Sequence, residues 1–103
     1  MNIFGVENRL KALPMKPGVY LFKDKHDKVM YVGKGASLRN RIKSYFSPGS
    51  SLTPKLQKLL HNTYDFEYIV ADSEQEALIM ESNLIKKYRP YYNVKKRQDI
   101  SLS

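Results

Sequence analysis

The chain has no cysteine and no tryptophan in its 103 residues, and histidine occurs only twice, as His26 and His61. Without thiols there is no disulfide framework and no thiolate metal site, which suits a reducing compartment. Each histidine stands alone, one in a turn and one at a helix end, with no second ligand at the spacing of a metal site. Both read as surface residues. No apolar run comes near the ~18 residues that cross a bilayer, and the N-terminus carries no signal-peptide core. The expectation is a cytoplasmic protein with no membrane partner. Acidic residues are also scarce: 10 Asp and Glu face 18 Lys and Arg, a formal charge of +8. That excess favours a polyanion, nucleic acid first, while charge alone leaves a solvated basic surface or a membrane surface open. The stretch VGKGAS lacks the G-x-x-x-x-G-K-[ST] spacing, and no G-x-G-x-x-G is present, which sets aside nucleotide-fuelled chemistry. No Ser-His-Asp or Cys-His arrangement suggests acyl transfer.

What is present builds one domain of α+β class. A hydrophobic fraction of 42%, with eight Tyr and four Phe, is enough for a core. VENRLKALPMKPG places Val6, Leu10 and Leu13 at helical spacing and is stopped by Pro14 and Pro17. GVYLFKD and KVMYVGK are β-branched and aromatic runs around a charged turn, so they predict a hairpin. Ser37 is the expected N-cap of LRNRIKSYF, which Pro48 and Gly49 end. After the loop SPGSSLTP, Thr53 or Ser51 caps PKLQKLLHN, and DFEYIVA predicts a third strand with Phe66, Tyr68 and Val70 on one face. Ser73 followed by Glu76 forms a capping box for a last helix that runs to Arg89, where Pro90 ends it. The order αββααβα, without internal repeats, predicts a small three-stranded antiparallel sheet flanked by helices.

Several residues break the pattern. On a wheel of roughly 100° per residue, Ala77, Leu78, Leu84, Ile85 and Tyr88 share a broad face of the last helix with Glu81 in its middle. A buried carboxylate costs several kcal/mol unless it is paired, so Glu81 either pairs with an Arg or faces a polar pocket and binds a hard divalent cation. On the amphipathic helix that follows the hairpin, Leu38, Ile42, Tyr45 and Phe46 form the apolar stripe. Arg41 lies on its flank beside Tyr45, and Arg39 and Lys43 lie on the opposite flank, where basic side chains ordinarily reach out to solvent. Tyr20 and Tyr31 sit at mirrored places in the hairpin, in Gly18-Val19-Tyr20 and Tyr31-Val32-Gly33, and glycine within a strand allows close approach by a backbone or a ligand. Tyr31, Lys34 and Arg41 are thereby expected to converge on one anion.

These residues resemble the GIY-YIG nuclease family, whose namesake triplets are the two just quoted, and within it the N-terminal domain of the incision subunit of bacterial nucleotide excision repair. The resemblance continues through Lys34, LRNRIKSYF, DFEYIV, EALIMESNLIKKYRP and YNV, and covers about residues 10–94, with a basic tail at 95–103. It implies a metal-dependent phosphodiesterase that cuts one DNA strand, on the 3′ side of a lesion in the repair proteins, using one divalent ion (Mg²⁺ or Mn²⁺) on Glu81 and an activated water. By matching position it implies Tyr31 as general base, Arg41 and Lys34 as a phosphate clamp, Tyr20 and Tyr45 as orienters, and Asn93 as a support. Two positions depart from the repair proteins: Gly35 stands where they usually have alanine, and VKKRQDISLS replaces an acidic-basic continuation after Asn93.

A free phenol has a pKa near 10, so Tyr31 could act as base at neutral pH only if nearby cations favour the phenolate or the metal acidifies the water. Arg39, Lys43, Lys86, Lys87, Arg89 and the tail residues Lys95, Lys96 and Arg97 could contact DNA phosphates without reading sequence, or simply be solvated. The resemblance also implies a monomer, excision-repair partners that bind through domains absent here, and two alternatives: a stand-alone structure-specific nuclease, or a non-catalytic DNA-binding module of the same fold.

Overall fold

The hairpin begins at a turn that the Asp24 carboxylate organises. Its Oδ1 accepts the backbone N–H groups of His26 at 2.8 Å and Lys28 at 3.0 Å, and Asp27 takes a positive φ of 65° to close the loop. In the computed structural model, which describes residues 3–47 and 52–93, this turn joins strand β1 (Gly18–Lys23) to strand β2 (Val29–Gly35). The pairing is antiparallel, Tyr20 opposite Gly33 and Phe22 opposite Tyr31, with an irregularity beyond Phe22 that leaves Lys23 opposite Val29. Strand β3 (Asp65–Val70) pairs antiparallel to the other side of β1, so the sheet order is β2-β1-β3. The α+β reading and the element order stand.

Helices cover both faces of the sheet. Helix α1 (Ile3–Ala12) begins ahead of the predicted stretch; α2 (Leu38–Phe46) and α3 (Pro54–Asn62) follow. Ser37 and Thr53 cap the latter two as expected, each accepting the N–H three residues on. Leu13, Leu38, Ile42 and Leu59 join Tyr20, Phe22, Tyr45 and Phe66 in the main core. Arg9 binds α1 to β3, bonding the Asp65 carboxylate and the Phe66 carbonyl while its guanidinium lies 4.0 Å from the centre of the Phe66 ring. On the other face, Leu84 and Ile85 of α4 (Glu74–Tyr88) pack on Leu21, Val29 and Val32.

Two expectations need correction. Phe66, Tyr68 and Val70 do share a face, but only Phe66 is buried; Tyr68 and Val70 are 41% and 43% exposed because β3 is an edge strand that the helices cover at one end. The packed face of α4 is also narrower than the wheel suggested. Leu78 and Tyr88 are exposed, and Ala77 is the one buried residue of the helix. A single helix crossing a twisted sheet touches it along a stripe, not across half its circumference. Pro48, Gly49, Ser51 and the tail residues Lys95, Lys96 and Arg97 lie outside the described residues.

Candidate active site

The site grows from one steric fact about β2. A Cβ added at Gly33 would lie 2.3 Å from both Cζ and the hydroxyl of Tyr20, so the Tyr20 ring crosses its paired strand where only a hydrogen atom fits beneath it. Tyr20 is fully buried, and its hydroxyl meets that of Tyr45 from α2 at 2.5 Å and accepts the Nε–H of Arg41 at 3.3 Å. Arg41 has no lone pair to offer, so in that bond Tyr20 is the acceptor. The ring of Tyr45 stands edge-on to Tyr20 at 5.8 Å between centroids, and the Arg41 guanidinium lies 5.7 Å from the Tyr45 ring centre. Tyr31, opposite Phe22, is 6.3 Å from Tyr20 by ring centroid and completes the cluster.

The close approach of α2 to β2 depends on a second glycine. A Cβ at Gly35 would fall 2.7 Å from the Cβ of Arg41, so this departure from alanine lies against the stem of the guanidinium.

The electrostatics settle one question that the sequence left open. Burial, then the charge and hydrogen bonding of Tyr45, push the Tyr31 phenol up to about 12, and the Glu81 carboxylate adds to the rise; Arg41 pulls the other way and is outweighed. Burial raises Tyr20 further still, with Tyr45 and Tyr31 adding to it. Positive charge from the protein alone therefore leaves Tyr31 a phenol at neutral pH. The same balance of charges shows that half-buried Glu81, from α4, sits within Coulombic reach of Tyr31, although α2 and α4 cover opposite faces of the sheet. β2 is an edge strand, and groups from both faces can meet along its free edge.

Asn93 supports that edge. Its Oδ1 accepts the Val32 N–H at 2.8 Å and its Nδ2 donates to the Val32 carbonyl at 3.0 Å, which reproduces the pairing a further strand would give. The bond holds the backbone next to Tyr31 in place from 61 residues away.

Lys34 lies on the other side of β2 from Tyr31 and Tyr20. Side chains alternate along a strand, and Lys34 falls on the α4 side of β2 with Val32, whereas Tyr31 and Gly33 face α2. It is exposed, on the side of the sheet from which Glu81 comes. Arg39 is also more constrained than a solvated cation, since its Nε donates to the Leu13 carbonyl at 2.7 Å and ties α2 to the end of α1. With Lys43 and Lys11 it lines a groove between these helices. Lys86, Lys87 and Arg89 are exposed at the end of α4, with the Lys87 ammonium 5.1 Å from the Tyr88 ring centre.

A feature not predicted from the sequence is the cleft that brings His26 and His61 together with Tyr64 and Tyr91. Their separation along the chain gives no local signal of that proximity.

Among the described residues no three His, Cys, Asp or Glu side chains cluster as a metal cage, and no helix is long and apolar enough to cross a membrane. A single carboxylate fits a hard ion that keeps most of its water and takes further oxygen from a substrate; it does not fit a soft metal.

Comparison with known proteins agrees with this geometry. The profile of the UvrC-like GIY-YIG domain matches residues 16–94. UvrABC system protein C of Clostridioides difficile (strain 630) is 54% identical over 97 residues, covering 94% of this chain and 16% of its own length. The corresponding protein of Clostridium tetani (strain Massachusetts / E88) is 52% identical over 97 residues. The chain thus spans about one sixth of the curated relatives it matches. The crystal structure of the GIY-YIG N-terminal endonuclease domain of UvrC from Thermotoga maritima, bound to magnesium as its catalytic divalent cation, superposes with a TM-score of 0.76 at 40% identity, covering 89% of this chain and 98% of that one. On sequence and fold alike, this chain belongs to the GIY-YIG nuclease family, as a domain related to the N-terminal endonuclease domain of UvrC.

Proposed function

We propose that this chain is a divalent-metal-dependent DNA endonuclease domain that hydrolyses one phosphodiester bond, the 3′-side incision of nucleotide excision repair. The observation that carries the reading is the meeting of Arg41, three tyrosines and the field of Glu81 at the edge of β2. Glu81 would hold a Mg²⁺ or Mn²⁺ ion, which when bound supplies Lewis acidity toward the scissile phosphate and the attacking water. Arg41, fixed at Nε by Tyr20, presents its remaining donors to the phosphate, where negative charge grows in the transition state. Lys34 would approach the same phosphate from the α4 side.

Tyr31 would accept the proton of the attacking water as a phenolate, after releasing its own proton to solvent. Its raised pKa makes this dependent on charge, because Glu81 is one of the groups that hold it up. Neutralising that carboxylate removes one upward influence and leaves Arg41 less opposed. Tyr45 and Tyr20 keep the phenol and the guanidinium in register, and Asn93 keeps β2 from sliding. DNA affinity would come from Arg39, Lys43, Lys86, Lys87 and Arg89. Other excision-repair subunits would deliver the substrate.

Nicking of supercoiled plasmid with Mg²⁺ or Mn²⁺ tests the proposal. Wild type should nick, and Glu81→Ala and Tyr31→Phe should each lose about 100-fold or more. Equal nicking by all three would mean that the activity belongs to a contaminant. Glu81→Ala should keep its melting temperature, since removing a half-buried carboxylate also removes its desolvation cost; a large drop would make Glu81 a structural partner instead.

A further inference from the structure

Along β2 from Tyr31, on the same side of the sheet as the tyrosine cluster, lies a cleft of about 530 Å³ between the β1–β2 turn, the end of α3 and the helical turn at residues 91–93. Met30 forms part of its floor and belongs to the same core cluster as Tyr20 and Tyr45. Its rim pairs two aromatic rings with basic groups. Tyr64 is 67% exposed and Tyr91 is 56% exposed, and Lys25, Lys28 and His61 stand beside them. The acid of this rim, Asp24, is occupied within the turn, where the N–H of Lys28 and then that of His26 hold its carboxyl below the usual range.

Large exposed phenols next to lysines are what an unpaired base and its phosphates require: a flat π-face to stack on and a charge to meet the backbone. The cleft is also at the right distance. Strands rise about 3.4 Å per residue, so the span from Lys28 to Gly33, over which the Tyr20 hydroxyl holds Arg41, is roughly 17 Å, a reach of two or three nucleotides once the strand is unstacked. A DNA strand whose phosphate lies at Arg41 and which follows the free edge of β2 toward the hairpin turn would arrive there.

The geometry points to a second subsite in this cleft for one unstacked nucleotide of the DNA strand, two or three nucleotides from the scissile phosphate, with Tyr64 and Tyr91 as stacking platforms and Lys25 and Lys28 on the flanking phosphates. The inference rests on the nuclease reading and adds to it a substrate class, DNA that is locally single-stranded beside the cut.

Fluorescence anisotropy with a short oligothymidylate and the same oligonucleotide carrying abasic sites, both in EDTA, tests it independently of turnover. Wild type should bind the base-bearing strand about tenfold more tightly than the abasic one. Tyr64→Ala and Tyr91→Ala should each remove most of that preference, Tyr91→Phe should keep it, and Lys25→Ala with Lys28→Ala should weaken both ligands alike. If both alanine variants, folded by circular dichroism, keep the wild-type preference, the subsite is overturned while the nuclease reading stands. Displacement of the oligonucleotide by polyglutamate of equal charge as readily as by unlabelled DNA would overturn it in favour of an acidic protein partner. If wild type binds the base-bearing and abasic strands equally or not at all, the subsite is overturned, while the nuclease reading stands or falls by the plasmid assay.

Discussion

At the level of a single residue, the surroundings of Tyr31 fix its protonation state. The folded chain holds the phenolic proton to about pH 12, whereas an unfolded tyrosine releases it near pH 10. Between those values unfolding releases a proton, so stability falls as pH rises through that window and is unaffected by this group below it. Melting temperatures measured from pH 8 to 12 should therefore drop for wild type above about pH 10, and Tyr31→Phe should drop less. Identical alkaline profiles would mean that Tyr31 is not the perturbed phenol. Gly33 matters for a related reason: the Tyr20 ring occupies the space a side chain would need, so the glycine of the second triplet exists to let the tyrosine of the first pass over it.

Among the elements, the end of α4 departs from local preference. Its C-cap Arg89 takes a left-handed conformation, φ 43° and ψ 58°, while its N–H bonds the Ile85 carbonyl at 2.8 Å. Glycine ordinarily fills this position at lower cost. Arg89→Gly should therefore stabilise the domain by about 1 kcal/mol, a rise in melting temperature of roughly 4 °C or more in a chain of this size. If Arg89 contributes to DNA affinity as proposed, the same variant should bind DNA more weakly, so stability and binding should move in opposite directions. The N-terminus of α4 shows a smaller variation on its predicted capping box. Ser73 accepts the Glu76 N–H at 3.1 Å, but the Glu76 carboxylate reaches the N–H of Asp72 at 3.3 Å and not that of Ser73.

For the whole molecule, the distribution of charge would decide how DNA is held if the proposed function is right. The basic side chains fall into groups on helices that cover opposite faces of the sheet, Arg39 and Lys43 on α2 and Lys86 and Lys87 on α4. None of these contacts would read a base, so affinity should fall steeply with salt and be nearly independent of sequence. Binding to a duplex measured from 50 to 200 mM salt should give a linear log–log plot, and Lys43→Ala or Lys86→Ala should each reduce its slope by about 1. An unchanged slope would remove that lysine from the interface. The cleft beside β2 would add contacts less sensitive to salt, because stacking depends on the π-face of a base and not on counterions.

The amino-acid sequence by itself determined the element order and the starts of α2, α3 and α4, because those depend on neighbours a few residues apart. Ser37, Thr53 and Ser73 bond the N–H three positions on, and Pro14, Pro17 and Pro90 stop what precedes them wherever the chain later goes. It also singled out Tyr20 and Tyr31 through the two glycine triplets, and the fold sets their rings 6.3 Å apart. The alternation that sends Lys34 and Tyr31 to opposite faces was present in the same strand, but its consequence appears only once β2 is known to be an edge. Only the tertiary structure decided the rest: the proton on Tyr31, the grip of Asn93 on Val32 and the gathering of Tyr64, Tyr91 and two histidines around one cleft. Desolvation, charge balance and concave surface are set by groups that meet from distant parts of the chain, and no local pattern records which of them will meet.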